Sequence, residues 1–252
     1  MEDTTIHNQA EGTESVSNST NTFVEALLHE TEREIGRATV QFNFPIPGQG
    51  AKSDVLFNSI GVFAHKGIAE TTVQDLLDAA NISRRTFYKY FKNKVDVLEC
   101  IYKMASELLT TRFRVEMGHT ESLSEFVVRC VDMYFDYHIN LGPLVRMMTE
   151  EARRSDSPLA AHREALIHEI VELFQDKYSQ MVGKRLDPQV FYAIIWGMES
   201  ASIHVLTETS CSVEEVNRWK LVMRSLAARA LVTDPELRPE LPLDPAAPQP
   251  AE

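Results

Sequence analysis

Residues 71–94, TTVQDLLDAANISRRTFYKYFKNK, decide the fold. Thr71 and Thr72 are helix-start residues, and each has a polar partner three positions on, Gln74 and Asp75, as a capping box requires. Val73, Leu76, Leu77 and Ala80 then recur at helical spacing. Asn81 follows, a residue that tolerates the left-handed conformation at a helix end, and Ser83 is placed to cap a second helix. Phe87 and Phe91 are four apart and share one face of that helix, so they can pack down on the first. Arg84, Arg85, Lys89, Lys92 and Lys94 lie in the same segment, and no acidic residue falls between positions 79 and 95. Burying Phe87 and Phe91 turns Arg85, Tyr88 and Lys89 outward, the arrangement by which a recognition helix enters a major groove.

The charge distribution carries the same message. The chain is acidic overall, with a formal net charge of −12, which alone argues against a polyanionic partner. Residues 51–94 nevertheless hold seven Lys or Arg against four Asp or Glu, net +3, which leaves −15 on the remainder. A basic island on an acidic body suits counterion release, because the charge local to the phosphates governs it.

Upstream, residues 1–21 are polar, lack core-forming side chains and are expected to be disordered. Residues 22–38 put Phe23, Val24, Leu27, Leu28 and Ile35 on one face of an amphipathic helix. Residues 41–50, with Pro45, Pro47, Gly48 and Gly50, make a linker, so 1–50 is an extension ahead of the 51–94 domain. That domain's first helix runs from about Lys52 to Lys66 on a Leu56–Ile60–Phe63 stripe, and Gly67 is placed to end it. Downstream, 95–232 reads as an all-α body. A long helix over 94–116 leads out of the 51–94 domain as a natural lever, and helical patterns follow at 122–140, 143–153, 159–182, 188–209 and 213–231. Residues 233–252 hold six of the eleven prolines and read as a disordered tail.

These residues resemble the DNA-binding domain of the TetR family of bacterial transcriptional regulators. The matching elements are Thr72-Val73, the turn Ala79-Ala80-Asn81-Ile82-Ser83, the aromatic run Thr86-Phe87-Tyr88-x-Tyr90-Phe91, and Lys94 opening the next helix. The family usually has Gly where Asn81 stands. The resemblance implies an all-α fold, an N-terminal helix-turn-helix domain and a helical effector-binding and dimerisation domain. It implies a homodimer that reads an inverted-repeat operator on double-stranded DNA, acts as a repressor and is released by a small effector. It also implies phosphate contacts from the helix-start Thr72 and from the recognition-helix tyrosine.

The DNA-binding candidates are therefore Thr72, Ser83, Arg84, Arg85, Thr86, Tyr88, Lys89, Tyr90 and Lys94. Arg84 and Arg85 can meet guanine edges or phosphates, and Thr86 can touch a thymine methyl or cap its helix. Tyr90 can contact phosphate or pack beside Phe91. In the body, Tyr134, Met147, Phe174 and Trp196 are candidates for an apolar effector pocket, against the ordinary alternative of core packing. The 188–209 and 213–231 helices are candidates for a four-helix dimer interface, against the alternative of two core helices.

Other chemistries find less support. Glu164, His168 and Glu172 are spaced four apart and could flank a metal, but such a ladder is more often a polar surface stripe, and no metal or cofactor is expected. No phosphate loop, nucleophile elbow or metal-ligand set supports an enzyme. The three cysteines have no zinc or redox spacing and read as reduced thiols. No basic-then-apolar leader or membrane-length apolar run is expected, the richest run, Ala193–Met198, stopping at Glu199, so the chain is placed in the cytoplasm away from membranes. The competing function is a TetR-like DNA-organising or protein-interaction factor without an effector. A packed body core would favour that reading, and a cavity of several hundred Å³ the effector.

Overall fold

The computed structural model describes residues 50–207 and 212–231. The expectations for 1–49, for the end of the 188–209 helix and for the 233–252 tail lie outside those residues, as does Cys211. The described chain is all-α. It divides into two compact units between Met104 and Ala105, inside a helix and ten residues beyond the expected 94/95 boundary.

The head contains α1 (Ala51–Glu70), α2 (Val73–Ala80), α3 (Arg84–Tyr90) and the start of α4 (Lys94–Gly118). α1 buries Leu56, Ile60 and Phe63, the stripe read from the sequence, and packs against α2 and α3. Its regular part ends at Gly67, whose φ of 75° is open to glycine and costly for other residues. The last turn before α2 is held by a clasp. The Lys94 ammonium donates to the carbonyls of Ile68 (2.8 Å), Ala69 (2.9 Å) and Thr71 (2.6 Å). Together with burial of Val97, Leu98 and Ile101, this explains why the start of α4 belongs to the head. Asn93 caps α4 by accepting from the Asp96 amide, as its position suggests.

The body contains the rest of α4, then α5 (Leu123–Ala152), α6 (Ala160–Val182), α7 (Pro188–Thr207) and α8 (Val213–Leu231). The two helices expected over 122–140 and 143–153 form one element with a kink at Gly142 (φ 47°, ψ −125°). α5 packs against α6, α7 and α8, and α7 also packs against α6 and α8. Gly197 lets α7 and α8 approach closely, since a Cβ there would lie 3.3 Å from the Met223 methyl. Two ion pairs clamp α8 to α5: Lys220 Nζ to Asp136 Oδ1 at 2.5 Å, and Arg224 Nε to Asp132 Oδ1 at 2.6 Å. Each helix contributes partners four residues apart, so the two pairs lie one turn from each other.

α7 corrects one expectation. It is long and apolar enough by composition to cross a membrane, although no such run was expected. Its packing against three neighbouring helices and its buried Glu199, bonded to Arg163, make it a core helix of the body.

Candidate nucleic-acid interface and body cleft

The head builds its surface from local rules. Thr72 caps α2 through a reciprocal box: its hydroxyl accepts from the Asp75 amide (3.2 Å), and Asp75 accepts from the Thr72 amide and hydroxyl, both at 2.8 Å. Lys66 reaches the other Asp75 oxygen at 2.7 Å. That lysine and the Thr72 donors hold the Asp75 carboxyl at about 2, below the usual carboxylate value. Asn81 adopts the left-handed conformation (φ 50°, ψ 49°), so it supplies what glycine would at this turn. Ser83 caps α3, accepting from the Thr86 amide at 3.1 Å, and its hydroxyl pairs with that of Thr86 at 2.9 Å.

Phe87 and Phe91 are buried with ring centroids 5.7 Å apart. α3 therefore rests on its aromatic face and turns the opposite one outward. Tyr88 is 54% exposed, and Arg84, Arg85, Lys89 and Tyr90 are exposed beside it. These cationic side chains differ in their freedom. Arg84 donates to Gln74 Oε1 at 2.9 Å, and Gln74 donates to Asp78 at 2.7 Å, so Arg84 is tied back to α2. Lys89 lies over the Tyr90 ring, 5.1 Å from its centroid. Arg85 makes no hydrogen bond or ion pair with any described residue. Lys94, also among the DNA-binding candidates, has its ammonium turned into the head. Its ammonium has three N–H groups, and the clasp uses all three.

Residues 59–101 match the family model for bacterial regulatory proteins of the tetR family. The head is a TetR-family DNA-binding domain. The fold of the longer chain agrees with that assignment. FadR, the fatty acid degradation regulator from Bacillus halodurans, is 19% identical with a TM-score of 0.60, over 70% of this chain and 94% of that one. A TetR-family regulator from Syntrophomonas wolfei is 16% identical with a TM-score of 0.62, over 73% and 98%. GusR from Salmonella enterica is 19% identical with a TM-score of 0.60, over 73% and 97%. At these identities the likeness is one of fold. The chain thus has the fold of a TetR-family transcriptional regulator, which implies DNA-binding regulation.

In the body, the four effector candidates separate. Tyr134 and Phe174 are buried, and both rings meet Phe113, at 6.3 and 4.9 Å, with Phe126 5.3 Å from Phe174. This is packed core. Beside it His138 is buried, and its Nδ1–H donates to the Tyr134 carbonyl at 2.9 Å. Burial lowers its pKa to about 4 from 6.5, because the charged imidazolium loses its hydration there. Met147 is half-buried and lines no cleft described for the body. Trp196 is 48% exposed and lines an open cleft of about 460 Å³ with Arg153, Arg163, Glu164, Ile167 and Tyr192. The cleft lies between the end of α5, the first half of α6 and the start of α7.

Sequence reading placed Trp196 and Glu164 in separate hypotheses and missed the rest of the cleft. The i,i+4 pair Tyr192–Trp196 was a usable signal, whereas nothing local announces that Arg163 meets a residue 36 positions away. Glu164, His168 and Glu172 do not converge. His168 Nδ1 is 3.0 Å from the Tyr192 hydroxyl, and Glu172 pairs with Arg185 at 3.5 Å. Among the described residues no group of three side chains is arranged to hold a metal.

Proposed function

We propose that the protein is a homodimeric, ligand-responsive transcriptional repressor that sets α3 of each protomer into a major groove of an inverted-repeat operator. The observation that carries this reading is the face of α3. Arg85 stands exposed, with no hydrogen-bond or ion-pair partner among the described residues, flanked by Tyr88 and Lys89, above a buried Phe87–Phe91 floor in a TetR-family head. Arg85 is the base reader, bidentate to a guanine edge. Tyr88, Tyr90 and Lys89 position the phosphates, and Ser83 and Thr86 set the entry angle of the helix. Thr72 can accept this role only by redirecting its hydroxyl from Asp75. Arg84 acts from its tether on Gln74, and Lys94 contributes as the clasp rather than as a ligand.

Two protomers joined through α7 and α8 would present their α3 helices to half-sites about 34–36 Å apart. α4, which belongs to both units, is the element through which an effector in the body would act on the head. The open cleft of about 460 Å³ supports ligand sensing, against the packed Phe113–Tyr134–Phe174 core, which by itself favours an architectural role.

The experiment is selection of bound genomic fragments followed by affinity measurement on the recovered operator. Arg85→Ala should weaken specific binding by about ten- to a hundredfold while leaving helicity and oligomeric state unchanged. Operator affinity equal to that of the unaltered protein would remove Arg85 from its role.

A further inference from the structure

We propose that Gln74 is a positioning residue for DNA binding: its neutral amide, set between Arg84 and Asp78, holds Arg84 ready for a backbone phosphate and keeps the Asp78 carboxylate from neutralising it. This rests on the DNA-binding reading above and names a residue that serves that site without touching DNA.

The relay runs across the helix-turn-helix. Arg84 Nη2 donates to Gln74 Oε1 at 2.9 Å, and Gln74 Nε2 donates to Asp78 Oδ1 at 2.7 Å. Its direction is forced. An ionised carboxylate only accepts and a guanidinium only donates, so the amide turns its nitrogen to Asp78 and its oxygen to Arg84. Gln74 and Asp78 are four apart on α2, which puts both on one exposed face. Glutamate at position 74 would meet Asp78 with like charge, and lysine would do the same to Arg84. The place therefore requires a neutral group that both donates and accepts.

Neighbouring cations in the head are used differently. Lys66 is paired directly with Asp75, and Lys94 is engaged by three carbonyls. Arg84 makes no ion pair among the described residues, and its bond to Gln74 takes one guanidinium N–H and leaves the others open. Its charge is intact while its side chain is already placed, so little rotamer freedom is left to lose on binding. Position decides the target. Arg84 is the first residue of α3, and the relay draws its guanidinium toward the first turn of α2. In a helix-turn-helix the first helix of the pair crosses the phosphate backbone while the second enters the groove. A cation held between the two meets a phosphate at the groove's edge, whereas Arg85, with no hydrogen bond or ion pair to any described residue, is free to reach a base.

The test uses the full chain and two probes, a genomic fragment recovered by selection and a duplex of random sequence, with affinity followed against salt concentration. Gln74→Met keeps the length of the side chain and its helix propensity and removes both hydrogen bonds. It should weaken both duplexes by a similar factor, about five- to tenfold, and flatten the slope of log affinity on log salt by about 1, as loss of one phosphate contact does. In the Arg84→Ala background the same change should alter affinity by less than about twofold, because Gln74 acts through Arg84. Asp78→Asn should raise the affinity of the Gln74→Met variant by about fivefold more than it raises that of the unaltered protein. All three side chains are exposed, so far-ultraviolet circular dichroism should be the same for every variant. An unchanged salt slope, a loss confined to the genomic fragment, an equal loss in the Arg84→Ala background, or an equal gain from Asp78→Asn in both chains overturns the proposal and leaves the DNA-binding reading standing. Binding of neither duplex by the unaltered protein overturns that reading and the proposal with it.

Discussion

At the scale of single residues, burial decides what a polar side chain does. His138 is enclosed in the body core and its folded pKa falls to about 4. The unfolded chain takes up a proton near 6.5, above the folded value, so stability is complete above 6.5 and is lost as pH falls toward 4. The full shift corresponds to about 3 kcal/mol. The urea midpoint should therefore drop between pH 6.5 and 4.5, before most carboxylates titrate, and His138→Leu should flatten that part of the profile. An equal slope in the variant would assign the effect to other groups. The exposure of Arg85 was legible, because the outward side of a helix follows from its spacing against Phe87 and Phe91 and needs no tertiary information. The role of Lys94 was not legible. Its charge and place in the sequence suggested a phosphate ligand, but the three carbonyls that take its donors come from Ile68, Ala69 and Thr71, more than twenty residues earlier. The same holds for the Arg163–Glu199 pair, and so for the cleft whose wall it forms.

At the scale of elements, caps and breakers made the helices readable, because their signals are local. The Thr72–Asp75 box, the left-handed Asn81, the Ser83 cap and the Gly67 break all stand where spacing put them. The element reading faltered where a break turned out to be a bend. Gly142 was read as a gap between helices, and it is a kink within α5. Its φ of 47° and ψ of −125° are unfavourable for any residue with a Cβ, although no atom lies within 4 Å of where that Cβ would sit. Gly142→Ala should thus cost about 1–3 kcal/mol through backbone strain alone. Gly118→Ala is the matched control. It also has open space around the added carbon, and its φ lies outside the positive range that strains L residues, so that change should be neutral or stabilising by up to about 1 kcal/mol. Denaturant midpoints of the two variants check the contrast. Equal effects would mean that α5 straightens to accommodate alanine.

At the scale of the whole molecule, the sequence pattern left the last two helices between core helices and a dimer interface, the family resemblance favoured the dimer, and their exposed faces now allow it to be argued from particular side chains. α8 buries Val216, Met223 and Ala227 inside the body, and its ion pairs with α5 fix which face remains outside. That outer face carries Leu221, 61% exposed, and Leu226, 57% exposed, with Val222 between them. Leucines at this exposure on a well-packed helix are unusual for a surface meant to face water, and they suit a two-fold interface in which each copy covers the other. Replacing Leu221 and Leu226 together by Asp removes four leucines from such a dimer. At about 1 kcal/mol each, the loss is about 4 kcal/mol, or about a thousandfold in the dissociation constant. Light scattering should then report a monomer at concentrations where the proposed dimer of the unaltered chain forms, with the far-ultraviolet circular dichroism unchanged because both side chains lie outside the body core. Operator affinity should fall with the dimer, since one head reads one half-site and the two contribute together when joined. A dimer that survives both substitutions would move the interface off α8, and monomers that keep full operator affinity would show that each α3 reads DNA without its twin.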